Sequence, residues 1–481
     1  MHANERYDFD LAVIGGGSAG FAAARTAANE GLNVALIEGG QEIGGLCILR
    51  GCMPTKALLY ATEVLHRVRH PQAWGIQTRG ARFSFAKIMA RKNTLIKEFA
   101  GYRRQQLTSG KFKFIRATAR FLDPNTLELT PAASNAGPAN HAHSNQPTRL
   151  RARSFIVATG SVLAPSPLPD LDKVGYLDSD SAMTLKKLPK SLIVLGGGAV
   201  AVEFAQFFTR LDVRVTLIQR SPHVLHEMDA DAADVIESVF RREKIALFTG
   251  TKLLGARRAG SRKEVSFTHQ ARTRRVSAEE IFFALGRVPN IHSLGLERIG
   301  VGLEHGRIQT DSRMRTNLPH IHAVGDCAGL HEIVHIAVQQ AETAAWNIAH
   351  PDATREMDYR LLTEIVFTDP QIATVGLNEK RAHVNNVDCL AASYPFSDHG
   401  KSIIMEAMDG FVKILADPLS GEIIGATCAG PSGGELIHEI IAAMSRRMTV
   451  RDLAAMPHYH PTLSEIWTYP AEELAAQIPR M

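Results

Sequence analysis

The chain is short of the features that mark a disulfide-stapled, membrane-spanning or nucleic-acid-coating protein. Its 481 residues hold five cysteines, an odd and sparse set that excludes a secreted scaffold cross-linked throughout. Two of them lie five residues apart and Cys327, Cys389 and Cys428 are scattered, which suits a cytoplasmic protein with one working pair. No uncharged apolar run reaches the roughly 18 residues of a membrane-spanning helix. Charge is nearly balanced, at +5 overall, which gives little reason to expect a nucleic-acid partner. Much of the excess lies from Arg257 to Arg275, with Arg258, Arg262, Lys263, Arg272 and Arg274 between them; the run reads as a solvated β-hairpin rather than an anion patch. The apolar stretch Leu11 to Ala24 follows acidic residues (Glu5, Asp8, Asp10) and carries glycines at fixed spacing, so it is not a signal peptide. What remains is an ordinary enzyme composition, 45% apolar and 21% charged, in a chain long enough for two to four domains.

Two segments about 180 residues apart share one layout. Asp8 to Glu38 and Ser191 to Gln219 each read as a short apolar strand, a glycine turn, an Ala-rich helix and a second β-branched strand. Gly31 stands where a left-handed residue ends the first helix. Two βαβ units predict two dinucleotide sites. In the first, Gly15, Gly17 and Gly20 form G-x-G-x-x-G, with Ser18 opening the helix. The first glycine permits the tight turn, the second admits a pyrophosphate to the backbone, and the third lets helix and strand approach. Glu38, at the end of the second strand, stands where a carboxylate accepts ribose hydroxyls. The second unit reads Gly196-x-Gly198-x-x-Ala201, and its strand-end position holds Gln219 followed by Arg220. Without a carboxylate to repel a 2′-phosphate, and with a guanidinium beside it, this site favours NADPH over NADH.

Between the two units, Pro131 to Pro147 lacks periodicity and reads as a surface loop, and Thr316 to Asp326 reads as a strand ending in a turn. From Tyr359 onward the mixture of β-rich and helical runs predicts a separate C-terminal α/β domain.

The stretch Gly44 to Leu59 carries the most chemistry. In a regular helix, Cys47 and Cys52 would place their Cα atoms about 8–9 Å apart, whereas a disulfide needs roughly 4.4–6.8 Å. A bridge between them requires a distorted backbone, for which Gly51 offers slack. Pro54 is suited to a helix start, which puts Cys52 near a helix N-terminus and favours its thiolate. A strained bridge with one stabilised thiolate is easily reduced.

C-x4-C-x-P-x-K at this place resembles the active site of the flavoprotein pyridine nucleotide-disulfide oxidoreductases, the family of dihydrolipoamide dehydrogenase, glutathione reductase and mercuric reductase. Ala158-Thr159-Gly160, Gly286-Arg287-Val288-Pro289-Asn290, Ala323-Val324-Gly325-Asp326 and Phe367-Thr368-Asp369-Pro370 resemble further family motifs in the family's order. The resemblance covers nearly the whole chain. It implies two Rossmann-like dinucleotide-binding domains plus a C-terminal α+β dimerisation domain, with FAD on residues 1–166 and 289–355, the nicotinamide nucleotide on 167–288 and dimerisation through 356–481. Gly45, Thr159, Gly160, Gly286, Arg287, Gly325 and Asp326 join the cofactor-binding residues, Asp326 on the FAD ribityl chain. Cys52 faces the flavin, Cys47 exchanges with substrate, and Lys56 lies beside the flavin, paired with Glu203. Met456 to Glu465 resembles the family's H-P-T-x-x-E stretch. His460 is thereby the acid–base of thiol exchange, supplied across a homodimer, with Glu465 fixing its tautomer. His458 is the rival that the Pro-Thr context disfavours.

Several positions depart from the family pattern. Ile48-Leu49-Arg50-Gly51 replaces the usual Val-Asn-Val-Gly, and Arg50 either tunes the pair or points to solvent. Ala199 stands where glutathione reductase has a tyrosine gate, and the terminal IPRM lacks the vicinal cysteines of mercuric reductases, whose N-terminal metal-binding domain is not expected here either. The resemblance leans toward a dihydrolipoamide dehydrogenase-like enzyme acting on a small dithiol or lipoyl-bearing protein. An NADPH-dependent reductase of glutathione-like disulfides, metal ions or quinones is the alternative. A flavin-bound redox sensor is a third reading, and it would have no need of His460.

Overall fold

Residues 9–14 (β1, Phe9–Ile14) carry four consecutive buried apolar side chains, Leu11 to Ile14, as a strand covered on both faces must. In the computed structural model, which describes residues 6–132, 148–329 and 331–479, β1 pairs in parallel with β2 (Val34–Ile37) on one side and with Ala152 to Val157 on the other. Helix α1 (Ser18–Asn29) lies between β1 and β2 in the chain and buries Ala22, Ala23, Ala24 and Ala27, whose small side chains let it pack closely. It ends where expected, with Gly31 at φ +88°.

By its internal contacts the chain divides into two units, Met1–Thr55 with Arg91–Pro165 and Gly286–Met357, and Lys56–Ala90 with Ser166–Leu285 and Asp358–Met481. The first is built on a seven-stranded sheet. Its order is Lys113–Ile115, β2, β1, Thr148–Val157, Thr126–Pro131, Ala117–Asp123, with Ile321–Ala323 also paired to Thr148–Val157. The strand Thr148–Val157 changes neighbours along its length, antiparallel at Thr148 to Arg151 and parallel from Ala152. The strand read into Thr316–Asp326 is confined to Ile321–Ala323. Before it the Thr316 hydroxyl bonds Leu318 N and Ile321 O and winds the backbone into a turn. Pro131 closes a strand; residues 133–147 of the expected loop lie outside the described residues.

The second unit contains a four-stranded parallel sheet, ordered Ala246–Phe248, Arg214–Ile218, Ser191–Leu195, Glu280–Phe283. The helix Ala199–Arg210 lays Phe204 and Phe208 against Phe282 of that sheet, with Phe207 packed on Phe204 and Phe208, and Leu58 and Leu65 of α3 (Cys52–Arg69) join the same core. The basic run forms the expected hairpin, extended by a third strand: Lys252–Ala259, Arg262–His269 and Arg272–Ala278. One of its cations is not solvated. Lys263 is buried and donates to Glu280 at 2.5 Å, because its strand position faces the core side with Val265 and Phe267. A five-stranded antiparallel sheet, Thr363–Val366, Gln371–Gly376, Ile423–Gly430, Phe411–Ala416, Leu390–Pro395, completes the unit with helices Gly433–Ser445 and Thr468–Gln477 over its core. Among the described residues no helix is long and apolar enough to cross a membrane.

Candidate active site

Both glycine turns are shaped to take a pyrophosphate. A Cβ on Gly15, at φ +108°, would lie 2.4 Å from Ala158 O, and one on Gly20 would lie 1.7 Å from Gly15 O. These two positions admit no side chain, whereas Gly17 and Gly198 are open: the nearest atom to a Cβ on Gly17 is 3.9 Å away, and Gly198 has none within 4 Å. Each of these two stands at the N-cap of its helix with no side-chain cap and no acid in the first turn. The first N–H groups of both helices therefore remain available to an anion, and the helix dipoles favour one. Gly45 closes on the first turn, since its Cβ would be 2.7 Å from Gly17 Cα. The residues expected to hold two dinucleotides fit them.

The unassigned middle glycine of each motif has a function that the spacing alone did not reveal. A Cβ on Gly16 would meet Glu38 Oε2 at 2.9 Å, and one on Gly197 would meet the Gln219 carboxamide carbon at 2.8 Å. Each glycine makes a seat for the side chain that ends the second strand of its unit. Glu38 is held by Gly16 N at 2.7 Å and Gly40 N at 2.5 Å, one per carboxylate oxygen, which leaves lone pairs for hydroxyl donors. Gln219 is buried and accepts from Arg220 N at 2.9 Å, while Arg220 itself is exposed. The triple glycine in both stretches was the available signal.

Three distant motifs converge in the first unit. Ser161 Oγ donates to Asp326 Oδ2 at 2.7 Å and accepts from Arg287 Nε at 2.8 Å, while Asn290 N donates to Gly160 O at 2.9 Å. Thr159-Gly160, Gly286-Arg287 and Gly325-Asp326 are thus tied together by Ser161, which was not singled out, and by Asn290 of the Gly286–Asn290 motif. Cys327 is fully buried: burial pushes its thiol up to about 11, and its S–H is shared between Val157 O and Val324 O.

The cysteine stretch is broken as its chemistry demands. Helix α2 (Gly45–Leu49) stops before Arg50, and α3 starts at Cys52. Arg50 N and Gly51 N both donate to Leu46 O, at 2.9 and 2.7 Å, and the second bond closes a wider π-type turn that ends α2 between the two cysteines instead of continuing as one helix. Pro54 falls in the first turn of α3, where its missing N–H costs no helical bond. Both cysteines are half-buried. Arg50 is half-exposed and forms an ion pair with Glu42, so its charge is compensated locally.

In the second unit Lys56 Nζ pairs with Glu203 at 3.1 and 3.2 Å. Glu203 Oε1 also accepts from Phe367 N at 2.9 Å, and the Lys56 ammonium lies 4.4 Å over the Phe367 ring. The Glu203 side chain is only 4% exposed, so Lys56 and the Phe367 amide together meet the cost of burying its charge.

The two histidines of the last motif are clearly distinguished. His460 Nδ1 lies 2.9 Å from Glu465 Oε2 and its ring is 79% exposed. His458 is 7% exposed, with Nε2 at 2.5 Å from Glu439 and Nδ1 at 3.0 Å from Met456 O. Both nitrogens of His458 are engaged, whereas the His460 ring is oriented through Nδ1 and largely exposed. Behind Glu465 lies His399, which no motif indicated: fully buried, with Nε2 3.4 Å from Glu465 Oε1.

The pyridine nucleotide-disulphide oxidoreductase family model matches residues 9–341, and that family's dimerisation domain matches residues 362–471. Dihydrolipoyl dehydrogenase of Thermus scotoductus is 33% identical over 98% of this chain and 98% of its own. The mitochondrial dihydrolipoyl dehydrogenase of Schizosaccharomyces pombe is 31% identical over 95% of this chain and 88% of its own. Among solved structures, LpdA from Mycobacterium tuberculosis superposes with a TM-score of 0.85 at 30% identity, covering 96% of this chain and 99% of that one. The Escherichia coli flavoprotein disulfide reductase RclA shares the fold, with a TM-score of 0.83 at 23% identity over 97% of this chain and all of its own. The chain belongs to the pyridine nucleotide-disulphide oxidoreductase family and is an FAD-dependent oxidoreductase that exchanges electrons between a nicotinamide nucleotide and a disulfide centre.

Proposed function

We propose that the enzyme is dihydrolipoyl dehydrogenase-like, a homodimer that oxidises or reduces a small dithiol or a lipoyl group borne on a protein. The observation that carries this reading is the exposed His460 ring bonded at 2.9 Å to a buried Glu465. A thiolate, not a thiol, is the nucleophile of disulfide exchange. When a dithiol substrate attacks the Cys47–Cys52 disulfide at Cys47, the attacking S–H must lose its proton, and His460 of the partner subunit takes it. In the reverse direction Cys47 attacks the substrate disulfide and the same imidazole returns the proton to the departing sulfur. Glu465 holds Nδ1–H so that Nε2 is the working nitrogen. A redox sensor would have no use for this dyad.

Bound FAD supplies the two-electron relay between nicotinamide and disulfide. Residues 1–166 and 289–355 would hold it, through Gly15, Gly17, Ser18, Gly20, Glu38, Gly45, Thr159, Gly160, Arg287, Gly325 and Asp326, with Cys52 as the cysteine that would exchange electrons with it and Lys56 as a further cofactor residue. Residues 167–288 hold the nicotinamide nucleotide through Gly196, Gly198, Ala201, Gln219 and Arg220, with Gly286 beyond the last strand, and residues 356–481 form the dimer contact. The exposed Arg220 beside an uncharged Gln219 supports NADPH as the preferred nucleotide. Arg220→Ala is expected to lower the NADPH/NADH ratio of kcat/KM about tenfold, as loss of a charge-assisted contact does. The sparse cysteines support a cytoplasmic location.

Steady-state kinetics of the holoenzyme with NADH and NADPH against lipoamide, oxidised glutathione and Hg(II) test the proposal. The highest kcat/KM is expected with lipoamide. Preference for glutathione or mercury would replace the substrate reading, preference for NADH would remove the role given to Arg220, and inactivity with every acceptor would favour a sensor.

A further inference from the structure

We infer that His399 is a positioning residue for thiol exchange, a buried neutral imidazole whose Nε2–H steadies the outer oxygen of Glu465 and so governs His460. The inference rests on the reading of His460 as the acid–base. The two oxygens of Glu465 serve two rings: Oε2 lies 2.9 Å from His460 Nδ1, and Oε1 lies 3.4 Å from His399 Nε2. The second contact is long and not aligned as a hydrogen bond, so it acts as a charge–dipole contact across 3.4 Å. His399 Nδ1 lies 2.8 Å from Ser402 Oγ, and both residues are completely buried.

The tautomer follows from the neighbours. With the proton on Nδ1, the Nε2 lone pair would face the Glu465 carboxylate at 3.4 Å, an unfavourable contact in a dry site. With the proton on Nε2, the Ser402 hydroxyl donates to Nδ1 and the Nε2–H lies on the side of the carboxylate 3.4 Å away, so both neighbours are complementary. Few other charges act on the ring. Asp398, beside it in the chain, accepts from the Tyr394 hydroxyl at 3.0 Å. Tyr469, from the helix Thr468–Gln477, presents an edge 6.3 Å from the His399 ring and stacks on Tyr394 at 4.0 Å. Burial and His460 push His399 toward the neutral form, Glu465 pulls it back, and burial prevails.

A neutral donor on Oε1 withdraws charge that would otherwise go to the His460 N–H. Without it, Glu465 becomes the stronger acceptor, His460 holds its proton to higher pH, and the base form needed for dithiol oxidation is scarcer at neutral pH. The test measures kcat/KM for dihydrolipoamide oxidation against pH in the holoenzyme and in His399→Ala, His399→Gln, Ser402→Ala and His460→Gln. His399→Ala is expected to lower activity at neutral pH about five- to tenfold, the effect of one neutral hydrogen bond. Its acid limb should rise by about 0.5–1 pH unit. His399→Gln, which keeps an N–H near Nε2, should restore the limb, and Ser402→Ala should move it part of the way. An unmoved limb in both His399→Ala and Ser402→Ala overturns the inference whatever the rates do. If His399→Ala does not fold, Ser402→Ala and His399→Gln decide by the same limb. Wild-type exchange in His460→Gln would overturn the underlying acid–base reading; a severe loss there with unmoved limbs in the others would overturn the role of His399 alone.

Discussion

Cys47→Ser is expected to abolish disulfide turnover, by about a thousandfold or more, while FAD stays bound. Cys47 lies in the short α2, whose first residue, Gly45, rests against the phosphate turn at Gly17. Removing one sulfur changes no backbone requirement of that turn, so the cofactor site should survive. Serine cannot form the mixed disulfide with substrate, and that step disappears outright. On the proposed assignment the flavin-side sulfur is Cys52, at the start of α3, which the substitution leaves in place. The variant should therefore keep long-wavelength absorbance from a thiolate beside the flavin, read in its visible spectrum. Full lipoamide activity in Cys47→Ser, or loss of that absorbance with retained turnover, would exchange the two assignments.

His460→Gln should lower exchange in both directions by about 10²–10⁴-fold, the usual range for removal of a positioned acid–base. Glutamine keeps approximate size and polarity but cannot move a proton at neutral pH. The comparison that matters is His458→Gln. That ring is enclosed and bonded to Glu439 and Met456 O, so its loss should lower thermal stability with little direct effect on exchange. Steady-state assays beside melting curves separate the two. The reverse pattern, a dead His458→Gln and an active His460→Gln, would reassign the base.

The sequence was most legible where a function depends on neighbours in the chain. Gly15, Gly17 and Gly20 act within one turn, Gly51 breaks a helix between two cysteines five residues apart, and His460 meets Glu465 five residues on. The Lys56–Glu203 pair, 147 residues apart, was reached only through family likeness, and its third member, the Phe367 amide, was missed. Ser161 and His399 were also missed because their partners come from remote elements: Asp326 and Arg287 for the first, Glu465 for the second. A lone histidine in a polar run gives no sign of being enclosed. Lys263 failed differently. Its neighbours are basic, but alternate side chains of a strand face opposite ways, so composition described the run and the pleat decided the residue.

The two seats made by Gly16 and Gly197 have a consequence for how such enzymes diversify. One holds a carboxylate and the other a carboxamide of nearly the same shape, above similar strand ends and similar turns. The seat imposes size on its occupant, and the backbone N–H groups around it set the charge: both oxygens of Glu38 are met by an N–H, and only the oxygen of Gln219 is. On the proposed reading, the choice between nucleotides then rests on one atom of a strand-end side chain and the N–H that faces it, apart from the glycine turn that would grip the phosphates.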